Sequence, residues 1–331
     1  MKNTDFSEFK IAVIQHPPVF LNLAASIEKA CRLIEEAAGN DAEVIVFPET
    51  WLPGYPVWLD YAPKAALWNH PPAKALFRVL ADNSLVIPGN EFQELLAAAG
   101  KTGTYIVMGA HERDGGTLYN TMVYLDKNGK DYEIHRKLVP TYTERLLWGR
   151  GDGSTLSVLE TSHGILGGLI CWEHWMPLAR AAMHAKQELL HVAQWPAVKE
   201  LHQIASRQYA FEGQCYVAAA GSILTRQDII DGFNSIPNPP AEALELLESM
   251  PGKSSEYFLN GGSAIIAPTA EYICEPIFDN AAIIYTDIDP QITTEGHLFI
   301  DTDGHYSRPD IFSLNVNTTP QTCVNFESDD D

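Results

Sequence analysis

Three apolar runs of this chain end in side chains capable of covalent chemistry. Val44-Ile45-Val46-Phe47 leads into Pro48-Glu49, Ile134-His135-Arg136 leads into Lys137, and Leu166-Gly167-Gly168-Leu169-Ile170 breaks off at Cys171. Beyond Cys171 come Trp172-Glu173-His174-Trp175-Met176, then Pro177 and the helix-like pattern Leu178-Ala179-Arg180-Ala181-Ala182-Met183. That order predicts a buried strand, a tight elbow and a helix with proline in its first turn. A sulfur at such an elbow lies near backbone N–H groups, donors that can hold charge developing on a substrate atom. The position suits a nucleophile. A small apolar residue capping a core strand would leave the same pattern, because unpaired cysteine is among the most buried residue types. Taken singly, a strand-end glutamate or lysine is usually just solvated; the order Glu, Lys, Cys is what gives the three their interest.

The elements that must position these residues alternate between strand and helix. Strands are predicted over Phe9–Gln15, Val44–Phe47, Tyr105–Ala110, Leu118–Leu125, Tyr132–Arg136, Thr155–Glu160, Ile165–Ile170, Leu189–Ala193 and Tyr216–Ala220. Helices are predicted over Ala24–Ala38, Glu91–Ala99 with Gly100 as its stop, Leu178–Lys186, Lys199–Glu212 and Ala241–Ser249. Asp126-Lys127-Asn128-Gly129-Lys130 is a hairpin turn in which Asn-Gly supplies positive φ. The alternation makes this an α/β protein with antiparallel pieces, and the pattern alone leaves a doubly wound sheet and a layered sandwich both open. Two insertions stand out. Pro53–Pro88 carries Tyr55, Trp58, Tyr61, Trp68 and Phe77 directly after Glu49, and is either a pocket wall or a self-packed lid. Gln227–Tyr257 is bracketed by proline clusters.

With these flanks, the three residues resemble the nitrilase (carbon–nitrogen hydrolase) superfamily. The resemblance runs from about Lys10 to about Asp289 and includes Arg207-Gln208-Tyr209-Ala210-Phe211-Glu212-Gly213-Gln214-Cys215-Tyr216-Val217 and Gly261-Gly262-Ser263-Ala264-Ile265-Ile266-Ala267-Pro268. It implies a four-layer α-β-β-α sandwich, with residues 1–290 as the hydrolase domain and 291–331 as a C-terminal extension ending in an acidic tail. It also implies Glu49 as general base, Lys137 as catalytic lysine, Cys171 as nucleophile and Glu144 as a second structural-catalytic glutamate. Trp172 after the cysteine, with Pro177-Leu178 following, is similar to the nitrilase branch. So are Pro140-Thr141-Tyr142, Glu144-Arg145, Trp148-Gly149 and Gly151-Asp152-Gly153, and Gly304-His305-Tyr306-Ser307-Arg308-Pro309-Asp310.

The resemblance implies hydrolysis of organic nitriles to carboxylic acid and ammonia through a thioimidate and a thioester, with no metal or organic cofactor. Cyanide hydratase or dihydratase and amidase are the alternative activities, and a noncatalytic oligomeric scaffold is the reading from a different class. Tyr55, Trp58, Trp172 and Trp195 are the candidates for contacting a nitrile's apolar body, with Trp172 also a candidate to buttress the elbow. A homo-oligomer is implied, a dimer or higher and possibly a spiral, with Leu178–Lys186 at an interface.

Composition bounds the partners. A formal net charge of −21 over 331 residues makes nucleic acid and anionic membrane surfaces poor partners. Part of the excess sits in Glu327-Ser328-Asp329-Asp330-Asp331. The five cysteines are odd in number, and no Cys/His cluster has zinc-ligand form. Met1–Phe6 has no signal-peptide core and no stretch could span a bilayer, so a cytoplasmic protein with reduced thiols is expected.

Overall fold

The computed structural model describes residues 7–322 and residue 324. The N-terminal Met1–Phe6 and the acidic stretch Glu327–Asp331 lie outside the described residues. In chain order the elements are β1 (Phe9–Gln15), α1 (Leu23–Gly39), β2 (Val44–Val46), α2 (Trp58–Tyr61), α3 (Pro71–Asp82), α4 (Asn90–Thr102), β3 (Tyr105–Asp114), β4 (Thr117–Leu125) and β5 (Tyr132–Arg136). Then come β6 (Leu159–Thr161), β7 (Gly164–Ile170), α5 (Pro177–His184), β8 (Leu190–Trp195), α6 (Glu200–Gly213), β9 (Tyr216–Gly221) and β10 (Ile223–Thr225). The chain continues through α7 (Arg226–Asn234), α8 (Ala241–Glu248), β11 (Tyr257–Ile266), β12 (Tyr272–Phe278), β13 (Ala282–Ile288) and α9 (Gln291–Gly296).

These strands form two mixed sheets, one ordered β13-β1-β2-β3-β4-β5 and the other β10-β11-β9-β8-β7-β6, with β12 on β11. Side-chain alternation along the first sheet sets the layers. Ile11, Val13, Val44, Val46, Tyr105, Val107, Met122 and Tyr124 join Leu169, Val192 and Ala218 of the second sheet in one buried core. Their neighbours Ala12, Ile14, Ile45, Ile106, Met108 and Val123 face outward, against Ile27, Ile34, Phe92 and Leu95 of α1 and α4. Helix α6 lies on β8, β9 and β11. This is the α-β-β-α sandwich. Two side-chain amides stitch the sheets: Gln194 Nε2 donates to the Phe47 carbonyl at 2.8 Å, and the Ser263 N–H donates to Gln15 Oε1 at 2.9 Å.

Several boundaries differ from the sequence reading. Gly100 does not stop α4; the helix runs on to Thr102 and ends at Gly103, whose φ of 69° gives the left-handed cap. At Gly100 a Cβ would stand 3.2 Å from the Asn128 carbonyl, so this glycine serves contact with the hairpin instead. Of the expected Thr155–Glu160 strand only Leu159 and Glu160 are in a strand, β6, which runs on to Thr161; at its start Thr155 belongs to a 3-10 turn, Gly153–Thr155, capped by Asp152. β12 and β13 carry half-exposed side chains without clean alternation and were not anticipated. The two insertions pack on each other: Trp58, Leu76 and Leu80 share a core with Phe233, Leu246 and Leu247. No helix among the described residues is long and apolar enough to cross a membrane.

One glycine fixes where Glu49 can stand. After β2 the chain still follows β3, with the Phe47 N–H on the Val107 carbonyl and the Leu52 N–H on the Gly109 carbonyl. Between those points it bulges out over Gly109, where a Cβ would sit 2.1 Å from the Pro48 carbonyl oxygen and 2.9 Å from the Glu49 Cα. Gly109→Ala is therefore expected to destabilise the fold by about 1–3 kcal/mol and to displace Glu49. Urea unfolding together with turnover checks this; full activity and stability would contradict it.

Candidate active site

Each reactive side chain is delivered by a strand end. Lys137 directly follows β5 and remains paired with β4 through its N–H on the Asn120 carbonyl at 2.8 Å. Asn120 also turns its side-chain amide toward the neighbouring segment, donating to Glu49 Oε1 at 2.7 Å. Glu144 lies in a 3-10 turn, Tyr142–Leu146, in which its carboxylate accepts the Thr141 N–H at 2.6 Å. Cys171 ends β7 and opens the 3-10 turn Cys171–Trp175, with Pro177 in the first turn of α5. Its φ of 55° places a side-chain-bearing residue in the left-handed region, a strained conformation held by the surrounding structure.

The four groups converge. The Lys137 ammonium donates to Glu49 Oε1 at 2.8 Å and to Glu144 Oε2 and Oε1 at 2.8 and 3.1 Å. A Glu49 oxygen, a Glu144 oxygen and the Cys171 sulfur all lie within 4.8 Å of one another. Among the described residues this is the one cluster whose donor atoms converge as metal ligands do, and the Lys137 ammonium already supplies the positive charge between its carboxylates. Glu49 and Lys137 are fully buried; Glu144 and Cys171 form part of the wall of a cavity of about 270 Å3. Tyr55 shares that wall and donates its hydroxyl to Glu144 Oε1 at 2.8 Å.

Burial sets the protonation. It pushes the Glu49 carboxyl up to about 7, against the pull of Lys137. Burial, followed by the Glu49 charge, drives the Cys171 thiol well above its ordinary range, while Lys137 pulls it down. Burial opposes the Lys137 charge too, yet Cys171, Glu49 and Glu144 together hold it well above the usual lysine value. Lys137 is therefore a fixed cation, and Glu49 is poised between acid and base at neutral pH. Its Oε2 accepts no hydrogen bond from the described residues, leaving it open to take a proton. The Trp172 N–H points at the Cys171 sulfur.

Of the four aromatic candidates, Tyr55 and Trp172 line the cavity and Trp58 and Trp195 do not. Trp58 is buried against Phe20 and borders a separate cavity of about 520 Å3 beside Leu146 and Leu147. Trp195 is fully buried between the rings of His174 and His202. Neither directly follows a strand end: Trp58 opens α2, and Trp195 is the last residue of β8, which carries that side chain into the layer beneath the cavity.

Glu173 and His135, which flank Cys171 and Lys137 in the sequence, bind the two segments together. Glu173 Oε2 accepts the Ile170 N–H at 2.6 Å and a His135 ring nitrogen at 2.9 Å, and its Oε1 accepts the Leu138 N–H at 2.7 Å. That carboxylate clamps the cysteine elbow to the lysine segment. The ion pair with His135 keeps Glu173 below the ordinary glutamate range in spite of burial. The Trp148 indole N–H donates to His111 Nδ1 at 3.0 Å, which leaves His111 Nε2 to donate to the Gly54 carbonyl. The Trp148 ring lies 5.7 Å from the Lys137 ammonium. His111 sits in an ordinary strand alternation, and nothing in its neighbours marks it.

The description "Carbon-nitrogen hydrolase" matches residues 10–296 of the chain. A nitrilase of Pseudomonas syringae pv. syringae is 37% identical over 95% of the chain and 91% of its own length. A bifunctional nitrilase/nitrile hydratase of Lupinus angustifolius is also 37% identical, over 96% and 89%. Saccharomyces cerevisiae Nit3, a solved member of the nitrilase superfamily, superposes with a TM-score of 0.67 at 19% identity, covering 91% of this chain and 97% of that one. The chain belongs to the carbon–nitrogen hydrolase family, in its nitrilase branch. It is a hydrolase that acts on carbon–nitrogen bonds.

Removing the ammonium leaves two buried carboxylates facing each other. Lys137→Leu is expected to cost about 3–5 kcal/mol at pH 8. The cost falls as pH drops and Glu49 takes up a proton. Denaturant titrations at pH 8 and pH 5 check this; an equal loss at the two values would contradict it.

Proposed function

We propose that the protein is a nitrilase that converts organic nitriles to carboxylic acid and ammonia, with Cys171 as nucleophile. The observation that carries this reading is the convergence of the Cys171 sulfur with Glu49 and Glu144 around the Lys137 ammonium, beside a cavity. Glu49 takes the thiol proton, and the sulfur adds to the nitrile carbon. One C–N π bond is replaced by a C–S bond, and the proton passes to nitrogen, giving a thioimidate. The Lys137 cation stabilises the negative charge on sulfur before attack and on nitrogen during it. Water activated by Glu49 then adds to the carbon. The tetrahedral species expels ammonia and becomes a thioester, and a second water releases the acid and restores the thiol. Loss of the thiol from the same tetrahedral species would instead give an amide, the outcome named for the bifunctional lupin relative.

Glu144 accepts from Lys137 and also lines the cavity, so it both holds the ammonium and meets the substrate. The cavity's aromatic wall includes Tyr55, Tyr61, Tyr142, Trp172 and Phe258, which suits an apolar or aromatic nitrile body over cyanide. Leu178 of α5 and Leu201, Ile204 and Phe211 of α6 are exposed, which supports self-association through these helices.

Cys171→Ala is expected to abolish turnover with the fold retained, and intact mass spectrometry of the wild type with a slow nitrile to show a single adduct on Cys171. Substantial turnover by the alanine variant would overturn the nucleophile. Across a panel of cyanide, aliphatic nitriles and arylacetonitriles, acid and ammonia should dominate with organic substrates. Trp172→Ala and Phe258→Ala should reorder the panel, whereas Trp195→Ala should lower stability. Far better hydrolysis of cyanide, or reaction with amides alone, would replace this reading with the cyanide-degrading or amidase one. The acid limb of kcat/KM should have its midpoint near 7, with activity rising as Glu49 ionises.

A further inference from the structure

A second set of buried titratable groups lies behind the cysteine. The Cys171 carbonyl accepts from His174 Nδ1 at 2.8 Å, and His174 Nε2 meets His191 Nε2 at 3.0 Å. His191 Nδ1 stands 3.0 Å from each Glu188 oxygen, and Tyr209 donates its hydroxyl to Glu188 Oε2 at 2.5 Å. Glu188 also forms part of the wall of a cavity of about 690 Å3, separate from the one at Cys171. We propose that Glu188, through His191 and His174, is a positioning residue for the nucleophile, supplying the proton that keeps a buried hydrogen-bond chain anchored to the Cys171 carbonyl.

Counting protons carries the proposal. The chain has three junctions: Cys171 carbonyl to His174, His174 to His191, and His191 to Glu188. Each junction needs one proton, and two neutral imidazoles bring only two. The third belongs between His191 and Glu188. The chain is complete when His174 carries its proton on Nδ1, His191 on Nε2, and a protonated Glu188 donates to His191 Nδ1. Once Glu188 has lost that proton to solvent, one junction must open. Either two imidazole lone pairs face each other, or His174 changes tautomer and releases the Cys171 carbonyl, or His191 keeps its lone pair toward a now charged carboxylate, the most repulsive of the three.

The rings cannot swing away to relieve this. His174 stacks on Trp195 with centroids 4.8 Å apart, and His191 stacks on Tyr209 at 3.6 Å. The carboxylate's place is reserved by Gly167 of β7, where a Cβ would lie 1.9 Å from Glu188 Oε1. Burial favours the neutral chain. Burial raises the Glu188 carboxyl to about 7, against Tyr209 of α6, His184 of α5 and nearby Lys186. Burial and His184 lower His191, with Glu173 opposing and His135 adding to the effect. Burial and His191 lower His174, and His202 adds to this while the Cys171 carbonyl and Glu173 oppose it. Tyr124 of β4 and Cys215 also face Glu188, both kept protonated by burial. Across the cavity stand His297, Asp301 and Asp303. Glu188 is thus the group whose ionisation can empty the chain near neutral pH.

The effect on turnover rests on Cys171 being the nucleophile; the chain itself does not. The test uses the full-length protein labelled with 15N-histidine, with tautomers read from ring-nitrogen shifts between pH 5.5 and 9 alongside nitrile turnover. In the wild type at low pH, His174 should carry its proton on Nδ1 and His191 on Nε2, and one of them should change state as Glu188 ionises. Wild-type kcat should fall as Glu188 ionises, and Glu188→Gln, whose amide N–H can donate to His191 at any pH, should hold the low-pH pattern throughout and remove that fall. Glu188→Leu should lower kcat about fivefold with KM little changed, the scale of one hydrogen bond. Histidine states that ignore pH in the wild type, or Glu188→Gln behaving as Glu188→Leu does, would overturn the proposal. Should Cys171→Ala keep its turnover while the histidine pattern stands, the nucleophile assignment fails and the chain remains.

Discussion

A lysine ammonium with no solvent around it is the constraint on which the site depends. Lys137 is buried, and burying an isolated cation is costly enough that it would ordinarily lose its proton. It stays charged because Glu49 and Glu144 approach it from two different segments, one after β2 and one in the turn beyond β5. Burial, with the Glu144 carboxylate adding to it, pushes the Glu49 carboxyl up to about 7 against the pull of Lys137. The same arrangement that stabilises the lysine thus prepares a base. Burial and the Glu49 charge oppose ionisation of Cys171 while Lys137 favours it, and in the reaction proposed above Glu49 is the group that takes the thiol proton.

Holding such a cluster requires that strand ends from both sheets meet. Glu49 and Lys137 come from the first sheet and Cys171 from the second, and the tolerances are those of individual hydrogen bonds. Asn120 fixes the lysine backbone with its carbonyl and Glu49 with its amide. Glu173 ties the cysteine elbow to Leu138 and His135 across the sheets. Gln194 joins β8 to the Phe47 carbonyl just before Glu49. Each is a polar group buried between layers; Glu173 accepts with both oxygens, whereas Asn120 and Gln194 hold their neighbours through the amide N–H alone, their side-chain oxygens having no partner among the described residues. The positive φ at Cys171 is a local cost carried by this frame.

The sequence made the framework legible wherever periodicity was strong. β1, α1, β5, β7 and α6 were readable because their apolar spacing is unbroken and their ends carry Pro, Gly or charged residues. The convergence of Glu49, Lys137 and Cys171 was readable because each stands at or just past the end of a strand-like run and the order with its flanks resembles a known family. The aromatic wall was half legible. Tyr55 and Trp172 line the cavity, but whether a strand extends one or two residues further decides which layer a tryptophan enters, and Trp195 fell on the buried side. Asn120 and His111 were invisible for a different reason: their partners Glu49, Gly54 and Trp148 are distant in sequence, and a single polar residue within a strand looks the same whether it faces solvent or a buried partner. His191 is visible only as a histidine seven residues beyond His184, and its actual partner Glu188, three residues before it in the segment ahead of β8, carries no mark in the sequence. The contribution of β12 and β13 was hidden by half-exposed, weakly alternating side chains at the sheet margins.

Infrared difference spectroscopy of the carboxyl stretch tests the lysine-centred site most directly. Spectra of the wild type and Glu49→Gln taken from pH 5 to pH 9 isolate the Glu49 band by subtraction. A buried Glu49 held beside Lys137 and Glu144 requires a protonated-carboxyl band that is present at pH 5, disappears with a midpoint near 7, and is missing from the variant. Identical difference spectra for the two proteins, or a Glu49 band already lost at pH 5, would contradict it.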